Sequence, residues 1–241
     1  MCKELNMKNG IVCVVKAMKY QNFFFLSAAA LVALWLTACS DNSSSAGEEP
    51  FNASVVCPEN LRGTFTDPRD GQVYKYTTIG NRVWMAENLK YDDGSVCAEK
   101  TCSSKGRIYG MQNALLACPD GWHLPSRDEW KKLFNDVGGS DSAGYRLKAT
   151  EGWTPLNPGW ASNGTDDCGF TLLPIPASST ATNGGGGNKH DGYIALLWTS
   201  SRGTSNDYTM DGVFFETQTL EARMMTYYDT WDYLSIRCVK N

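Results

Sequence analysis

An apolar run near the N-terminus decides which part of this chain can form a folded domain. Residues 23–36 are apolar except for Ser27, and Lys16 and Lys19 precede them. Fourteen residues are too few to cross a bilayer, which takes about 20. A basic segment, an apolar core and small residues in this order indicate a cleaved export signal. Because the run ends in Leu36-Thr37-Ala38-Cys39, a bacterial lipoprotein signal, we expect lipid attachment at Cys39.

The signal divides the chain into three parts. Residues 1–38 are the signal peptide, and translation is expected to begin at Met18, with Met7 as the alternative, because Met18 directly precedes the basic segment. Residues 39–56, rich in Ser, Asn, Gly and Glu, are expected to be a flexible tether. Residues 57–241 are long enough for one domain with its own core. We therefore expect a protein of the cell envelope, anchored by its lipid in the outer membrane or at the cell surface.

The charge of the exported part argues against nucleic acid as a partner. From Cys39 onward the chain carries 18 basic and 25 acidic side chains, a net charge of −7. An acidic surface repels the phosphate backbone. No cluster of Lys and Arg offsets that repulsion.

Six of the nine cysteines follow Cys39 in the sequence. An even number of cysteines in an exported domain predicts disulfides. Cys97 and Cys102 are close enough to close a small loop with each other. The alternative is that this pair binds zinc, but the chain has no matching second pair of cysteines and only two histidines. We predict no metal and no cofactor.

The order of secondary-structure signals predicts an α+β domain. Val73–Thr78 and Arg82–Glu87 are expected to form a β-hairpin, because β-branched and aromatic residues flank a Gly-Asn turn. A helix is predicted over Tyr109–Cys118, ending before Pro119. Four later apolar runs predict short antiparallel strands between long loops: residues 170–175, 193–199, 213–215 and 234–239. Two early helices followed by such strands favour α+β over a doubly wound sheet.

The strongest local signal is a capping box at the second helix. Ser126 is placed as N-cap and Glu129 as the third helical residue, so each side chain can bond the other's backbone amide. An apolar face follows and ends at two glycines: Trp130, Leu133, Phe134 and Val137. We therefore interpret Glu129 as a structural residue rather than a catalytic one.

Five segments of the chain carry a family resemblance: residues 80–89, 106–109, 117–126 with Ala-Cys-Pro-Asp-Gly-Trp-His-Leu-Pro-Ser, 164–170 with Gly-Thr-Asp-Asp-Cys-Gly-Phe, and 235–240 with Ser-Ile-Arg-Cys-Val-Lys. Together they resemble the Fibrobacter succinogenes major paralogous domain. The resemblance runs in order from about Gly63 to the C-terminus. Members are typically exported, are often lipoproteins and have no established activity. The resemblance also implies a C-type-lectin-like fold, shared with formylglycine-generating enzymes.

The resemblance has consequences for the remaining cysteines. It implies that the cysteine before Gly-Trp-His-Leu-Pro meets the one in the C-terminal strand, which pairs Cys118 with Cys238. Cys57 and Cys168 are then expected to pair with each other and to tie the tether to the domain. We thus expect a single C-type-lectin-like domain stapled by disulfides.

Catalytic signals are weak in this sequence. It contains no Gly-x-Ser-x-Gly, His-Glu-x-x-His or glycine-rich phosphate loop, and His123 is interpreted as a framework residue. Calcium at Asp166-Asp167, or at Asp229 with Asp232, is the less favoured alternative to solvated turns. A glycosidase with two carboxylates stays open, because only their separation in space decides it.

Aromatic residues in the loop-rich half are the remaining functional signal. Exposed rings can stack on sugar faces, whereas core packing is the alternative for each of them. We single out four candidates for ligand binding: Trp160, Tyr193, Trp198 and Trp231. The expected function is a non-catalytic binding or structural module for polysaccharide or a partner protein, and the alternative is a carbohydrate-active enzyme with paired carboxylates.

The lipid anchor gives a first test. We expect Cys39→Ser to leave the protein uncleaved or unanchored, because no thiol remains to be acylated. Mass spectrometry of the mature N-terminus measures the outcome. An unlipidated wild-type product that begins at another residue would contradict the assignment.

Overall fold

The computed structural model describes residues 50–98, 102, 104–175, 192–203, 208–228 and 232–241. The expected lipid site at Cys39 and the candidate Trp231 lie outside these residues, as does Asp229. Within the described ranges, no helix is long and apolar enough to cross a membrane.

In the described part of the chain, two sheets and four short α-helices make up an α+β fold. The helices are α1 (Ala53–Val56), α2 (Met111–Ala114), α3 (Arg127–Asp136) and α4 (Ser140–Leu147). The first sheet contains β1 (Gly63–Thr66), β2 (Val73–Ile79), β3 (Arg82–Met85), β6 (Trp122–His123) and β11 (Val239–Lys240), in the order β1-β2-β3-β11-β6. The second contains β4 (Val96–Cys97), β5 (Arg107–Gly110), β7 (Ile194–Arg202), β8 (Thr209–Glu216), β9 (Ala222–Tyr228) and β10 (Tyr233–Ser235), in the order β4-β5-β10-β7-β8-β9. Only the pairing of β10 with β7 is parallel among these strands.

The predicted hairpin is present as β2 and β3. Ile79 pairs with Arg82 across a two-residue turn, and Gly80 in that turn has φ +60°. The positive φ favours glycine, and a side chain at this position would also require the carboxylate of Asp136 to move. The Gly80 amide also donates to the carbonyl of Val56 at 2.8 Å, which ties the hairpin to α1.

The predicted capping box is confirmed at the start of α3. The Glu129 amide lies 3.3 Å from Ser126 Oγ, and the Ser126 amide donates to Glu129 Oε2 at 2.8 Å. Trp130, Leu133 and Phe134 are buried on the inner face. The sequence pattern alone determines this helix because cap and apolar face agree.

The first predicted helix is wrong in extent. Only Met111–Ala114 is helical, because Tyr109 and Gly110 belong to β5, where Tyr109 pairs with Leu234 of β10. Helix α4 was not predicted at all. Gly144 lies inside it, and a Cβ there would fall on the carbonyl of Glu221, so close packing against a distant segment explains a glycine that weakens the helical signal.

Two predicted strands differ from the observed ones. The run 234–239 is divided between the sheets, because Tyr233–Ser235 joins the second sheet and Val239–Lys240 joins the first. The run 170–175 makes only isolated bridges, from Leu172 to Lys148 and from Ile175 to Ala195. Pairing partners far away in sequence decide both outcomes.

The expected flexible tether ends earlier than residue 56. Phe51, Ala53 and Val56 pack against the core, and the side chain of Asn52 caps α1 by accepting from the Ser54 amide at 3.1 Å. Three apolar side chains and a cap order a segment whose composition had suggested otherwise. The folded part therefore begins before residue 57.

The second sheet lies between two apolar clusters. On one face, Ala195 and Leu197 of β7 join α3 and α4 in a first cluster. On the other face, Leu196 and Trp198 join a second cluster with residues such as Tyr109, Leu234 and Ile236. Because both faces of β7 are buried, its first five residues, 194–198, are all apolar rather than alternately apolar and polar.

The six cysteines of the described residues form three disulfides. Cys97 pairs with Cys102 across 5 residues, Cys118 with Cys238 across 120, and Cys57 with Cys168 across 111. The prediction of a disulfide-stapled domain is confirmed, with these pairs.

Disulfides that close long loops and the one that closes a short loop should differ in their effect on stability. We expect Cys118→Ala with Cys238→Ala to lower the free energy of unfolding by about 4 to 5 kcal/mol, because the bridge closes a long loop of the unfolded chain. The matched control, Cys97→Ala with Cys102→Ala, removes a short loop and should cost roughly 2 kcal/mol. Urea unfolding measures both. Equal losses would contradict the chain-entropy explanation.

Candidate functional site

Trp198 is not a surface residue, and its prediction as a ligand-binding side chain is wrong. It is 0% exposed, and its indole N–H donates to the carbonyl of Tyr109 at 2.7 Å. The ring of Tyr227 covers it edge-on at 6.1 Å. The reason is its place on β7, an interior strand flanked by β10 and β8.

Trp160 is exposed, and Tyr193 is half-buried. Their loops are joined at the base, where the Thr154 amide donates to the carbonyl of Gly192 at 2.8 Å. Because Trp198 is buried and Trp231 lies outside the described residues, Trp160 and Tyr193 are the described candidates that remain. The roles of Trp160 and Tyr193 in ligand binding stay predictions.

A polar cleft of about 700 Å³ lies at the end of the hairpin strands. Three cations line it, together with two carboxylates, an amide, a phenol and one disulfide sulfur: Arg69, Lys90, Arg107, Asp70, Asp92, Gln72, Tyr91 and Cys102. Except for Cys102, which lies between β4 and β5, these residues come from the turn before β2, the segment after β3 and the start of β5. The fold thus brings together groups that lie far apart in sequence.

A buried carboxylate orients the first cation. Asp67 is 0% exposed, and it accepts from Arg69 Nε at 2.9 Å and from Arg69 Nη2 at 2.6 Å. Burial would raise the pKa of the Asp67 carboxyl, but the hydrogen bonds from Arg69 outweigh it and hold the pKa below its usual value. The guanidinium lies 3.8 Å from the centre of the Tyr91 ring. The ring and the carboxylate together fix the position of Arg69.

The other two cations are held in the same way. Arg107 donates to the carbonyl of Ser95 at 2.6 Å, to the carbonyl of Lys90 at 3.2 Å and to Asp92 Oδ2 at 2.5 Å. Lys90 Nζ donates to Glu87 Oε1 at 3.2 Å. Each cation of the cleft therefore has a carboxylate of its own.

This pairing determines what the cleft can bind. Asp70 is a carboxylate outside these ion pairs. Its Oδ1 accepts a hydrogen bond from the backbone N–H of Gln72 at 3.0 Å. The side-chain amide of Gln72 and the phenol of Tyr91 have no hydrogen-bond partner among the described residues. The three cations of the cleft are matched by the carboxylates that bond them, so the net charge around the space is small. Such a lining suits a neutral ligand rich in hydroxyl groups.

A second polar cluster surrounds Glu129, and its geometry is that of a helix cap. The carboxylate accepts from Ser126 twice, from His123 Nε2 at 3.0 Å and from Arg82 Nη1 at 2.9 Å. Burial would raise the pKa of Glu129, but the hydrogen bonds from Ser126 and His123 outweigh it and lower the pKa. A carboxylate with a lowered pKa and four donors is poorly suited to serve as a general acid. The assignment of His123 to the framework agrees with these contacts.

The carboxylate of Asp166 likewise accepts hydrogen bonds from a residue of its own turn. It accepts from the Thr171 amide at 2.6 Å and from Thr171 Oγ1 at 2.8 Å. Burial raises the pKa of this carboxyl. In the described part of the chain, no group of three or more His, Cys, Asp or Glu side chains is placed to hold a metal ion.

Sequence reasoning missed the cleft. The segment Asp67-Pro68-Arg69-Asp70-Gly71 carries a turn signal, and it predicts a turn correctly. No spacing rule connects Arg69 with Tyr91 or Arg107. Only the packing of three segments against one another creates the site.

Comparison with known proteins identifies one family. The sequence model of the Fibrobacter succinogenes major domain matches residues 77–240, about two thirds of the chain. No curated protein and no solved structure matches the chain.

The Glu129 cluster gives a pH-dependent prediction. Because the pKa of Glu129 is lower in the folded protein, its stabilisation is complete above the unfolded value of about 4.3 and is lost as the pH falls through the folded value. Glu129→Gln should therefore lower the free energy of unfolding at pH 7, and the difference from wild type should shrink in acid. Asp128→Asn, an exposed first-turn carboxylate, is the matched control and should show a smaller difference. A pH-independent difference between Glu129→Gln and wild type would contradict this explanation.

Proposed function

The chain belongs to the Fibrobacter succinogenes major domain family, and we propose that it is a non-catalytic binding module of the cell envelope. Its lipid on Cys39 holds it to the outer membrane or the cell surface, and its ligand is a neutral glycan bound in the polar cleft. The observation that carries the proposal is the internal pairing of every cation of the cleft with a carboxylate.

Charge compensation favours a neutral ligand over an anion. A phosphate or carboxylate would have to compete with Asp67 for Arg69 and with Asp92 for Arg107. A sugar hydroxyl can accept from a guanidinium and donate to the neighbouring carboxylate, so it gains from both members of a pair. The volume of about 700 Å³ lies within the range of small-molecule sites.

The alternative is a glycosidase with paired carboxylates. Such an enzyme needs one carboxyl that keeps its proton near neutral pH, and this requires a raised pKa. The most deeply buried carboxyl beside the cleft, Asp67, has a lowered pKa because Arg69 bonds it. This difference favours binding without turnover.

The C-type-lectin-like fold is part of the same proposal. Two features support it: β11 at the C-terminus pairs with β3 of the early hairpin, and Cys118 bridges to Cys238 as the family resemblance implied. A fold of this kind leaves long loops free to carry a ligand site.

Two small changes test the cleft. We expect Gln72→Ala and Tyr91→Phe each to weaken binding of a neutral polysaccharide about 5-fold, because each removes one hydrogen bond worth about 1 kcal/mol. Gln112→Ala, an exposed amide on α2, is the matched control and should bind as wild type does. A glycan array selects the polysaccharide, and titration calorimetry measures the affinity.

A hydrolysis assay on the same purified protein distinguishes a binding module from an enzyme. Turnover of the selected polysaccharide that is lost in Asp92→Asn would replace the binding module with the hydrolase. Binding that is unchanged in Gln72→Ala and in Tyr91→Phe would remove the ligand from this cleft.

A further inference from the structure

One loop combines a rigid base with an apolar tip. The base is held by Trp153, which is 4% exposed and donates its indole N–H to the carbonyl of Leu172 at 2.9 Å. The Trp153 amide donates to Asn163 Oδ1 at 3.0 Å, and Ser162 Oγ donates to the carbonyl of Trp153 at 2.8 Å. Thr217 Oγ1 also donates to the carbonyl of Thr154 at 2.6 Å. These contacts fix where the loop leaves the domain.

The tip of the loop is exposed and lacks charge. Every residue from 154 to 161 is exposed, with Leu156 at 47% and Trp160 at 57%. Five of these eight residues are apolar or proline: Pro155, Leu156, Pro158, Trp160 and Ala161. No Asp, Glu, Lys or Arg occurs from Gly152 to Thr165, in a chain whose composition is 20% charged. Prolines restrict the backbone, so the tip presents its side chains at little cost in conformational entropy.

The polar side chains of the loop favour a lipid interface over a sugar as its ligand. A glycan site needs several hydrogen-bonding side chains beside the aromatic ring. Ser162 and Asn163 instead bond Trp153 at the base of the loop, which leaves Thr154 and Asn157 as the polar side chains of residues 154–161. An apolar tip with tryptophan is instead suited to the interface between lipid chains and headgroups, where this residue is enriched.

The entry point of the tether favours the same surface. Phe51 lies under the guanidinium of Arg146 at 4.0 Å, beside α4. Arg146 lies in the last turn of α4, and the loop begins five residues after this helix ends at Leu147. A tether from Cys39 to Phe51 spans up to about 40 Å, which allows this side of the domain to reach the bilayer.

We propose that the loop from Gly152 to Asn163 inserts its tip, Leu156 and Trp160, into the interface of the bilayer that holds the lipid anchor. This proposal rests on the proposed anchor at Cys39. Insertion gives the domain a second contact with the membrane and so a defined orientation, with the anchor supplying a high local concentration.

Fluorescence quenching by lipid tests the proposal on the full lipidated protein. Wild type, Trp160→Phe and Trp122→Phe are purified from membranes and reconstituted into phosphatidylcholine vesicles with or without brominated chains. Trp122 is the control because it is a half-buried tryptophan packed on the second core cluster. We expect brominated lipid to quench wild type and Trp122→Phe, and we expect that quenching to be lost in Trp160→Phe. Leu156→Asp should also reduce the quenching, because a charge at the tip opposes insertion.

Other outcomes overturn the proposal. Vesicle flotation reports the anchor separately, so protein that floats but shows equal quenching in all variants disproves insertion while the anchor stands. Protein that fails to float disproves both. A response of Trp160 to soluble polysaccharide in the absence of vesicles, without lipid quenching, would assign the loop to glycan binding instead.

Discussion

The buried guanidinium of Arg237 is the contact on which the rest of the fold depends. It is 1% exposed and donates to Asn88 Oδ1 at 2.7 Å, to the carbonyl of Phe170 and to the carbonyl of Thr171 at 2.8 Å. A buried charge is costly unless its hydrogen bonds are satisfied. Burial lowers the pKa of this residue, although the charges of Asp166 and Glu87 oppose the shift. The three acceptors satisfy the hydrogen bonds of the buried charge. One side chain thus joins the C-terminal segment, the exit of the hairpin and the 166–171 turn.

Two disulfides flank this contact. Cys238 follows Arg237 directly and pairs with Cys118, and Cys168 lies two residues before Phe170 and pairs with Cys57. Covalent and polar constraints therefore meet in one region, between the two sheets. With the centre fixed in this way, the exposed loops at the periphery are less constrained by packing than the elements that they connect.

The cleft repeats the principle of Arg237 at the surface. In both places a cation is held by acceptors of the chain itself, but Arg69 and Arg107 keep part of their surface open to the cleft. Because their charges are already compensated, the cleft favours hydrogen-bonded recognition over recognition of charge. The loop that carries Trp160 offers the complementary chemistry, an apolar tip without charge. The two surfaces thus differ in chemistry: one is polar with paired charges, and the other is apolar and uncharged.

Elements whose signals are local could be predicted from the sequence. The hairpin of β2 and β3 and the capping box of α3 depend on residues within a few positions of one another, and both formed as expected. The tryptophans show where local information ends. Trp198 and Trp160 are the same residue type in loop-rich sequence, yet one is buried by neighbouring strands and the other is exposed. Tertiary structure alone decided these burials, the glycine inside α4 and the cleft, because each depends on segments that approach only when the chain is folded.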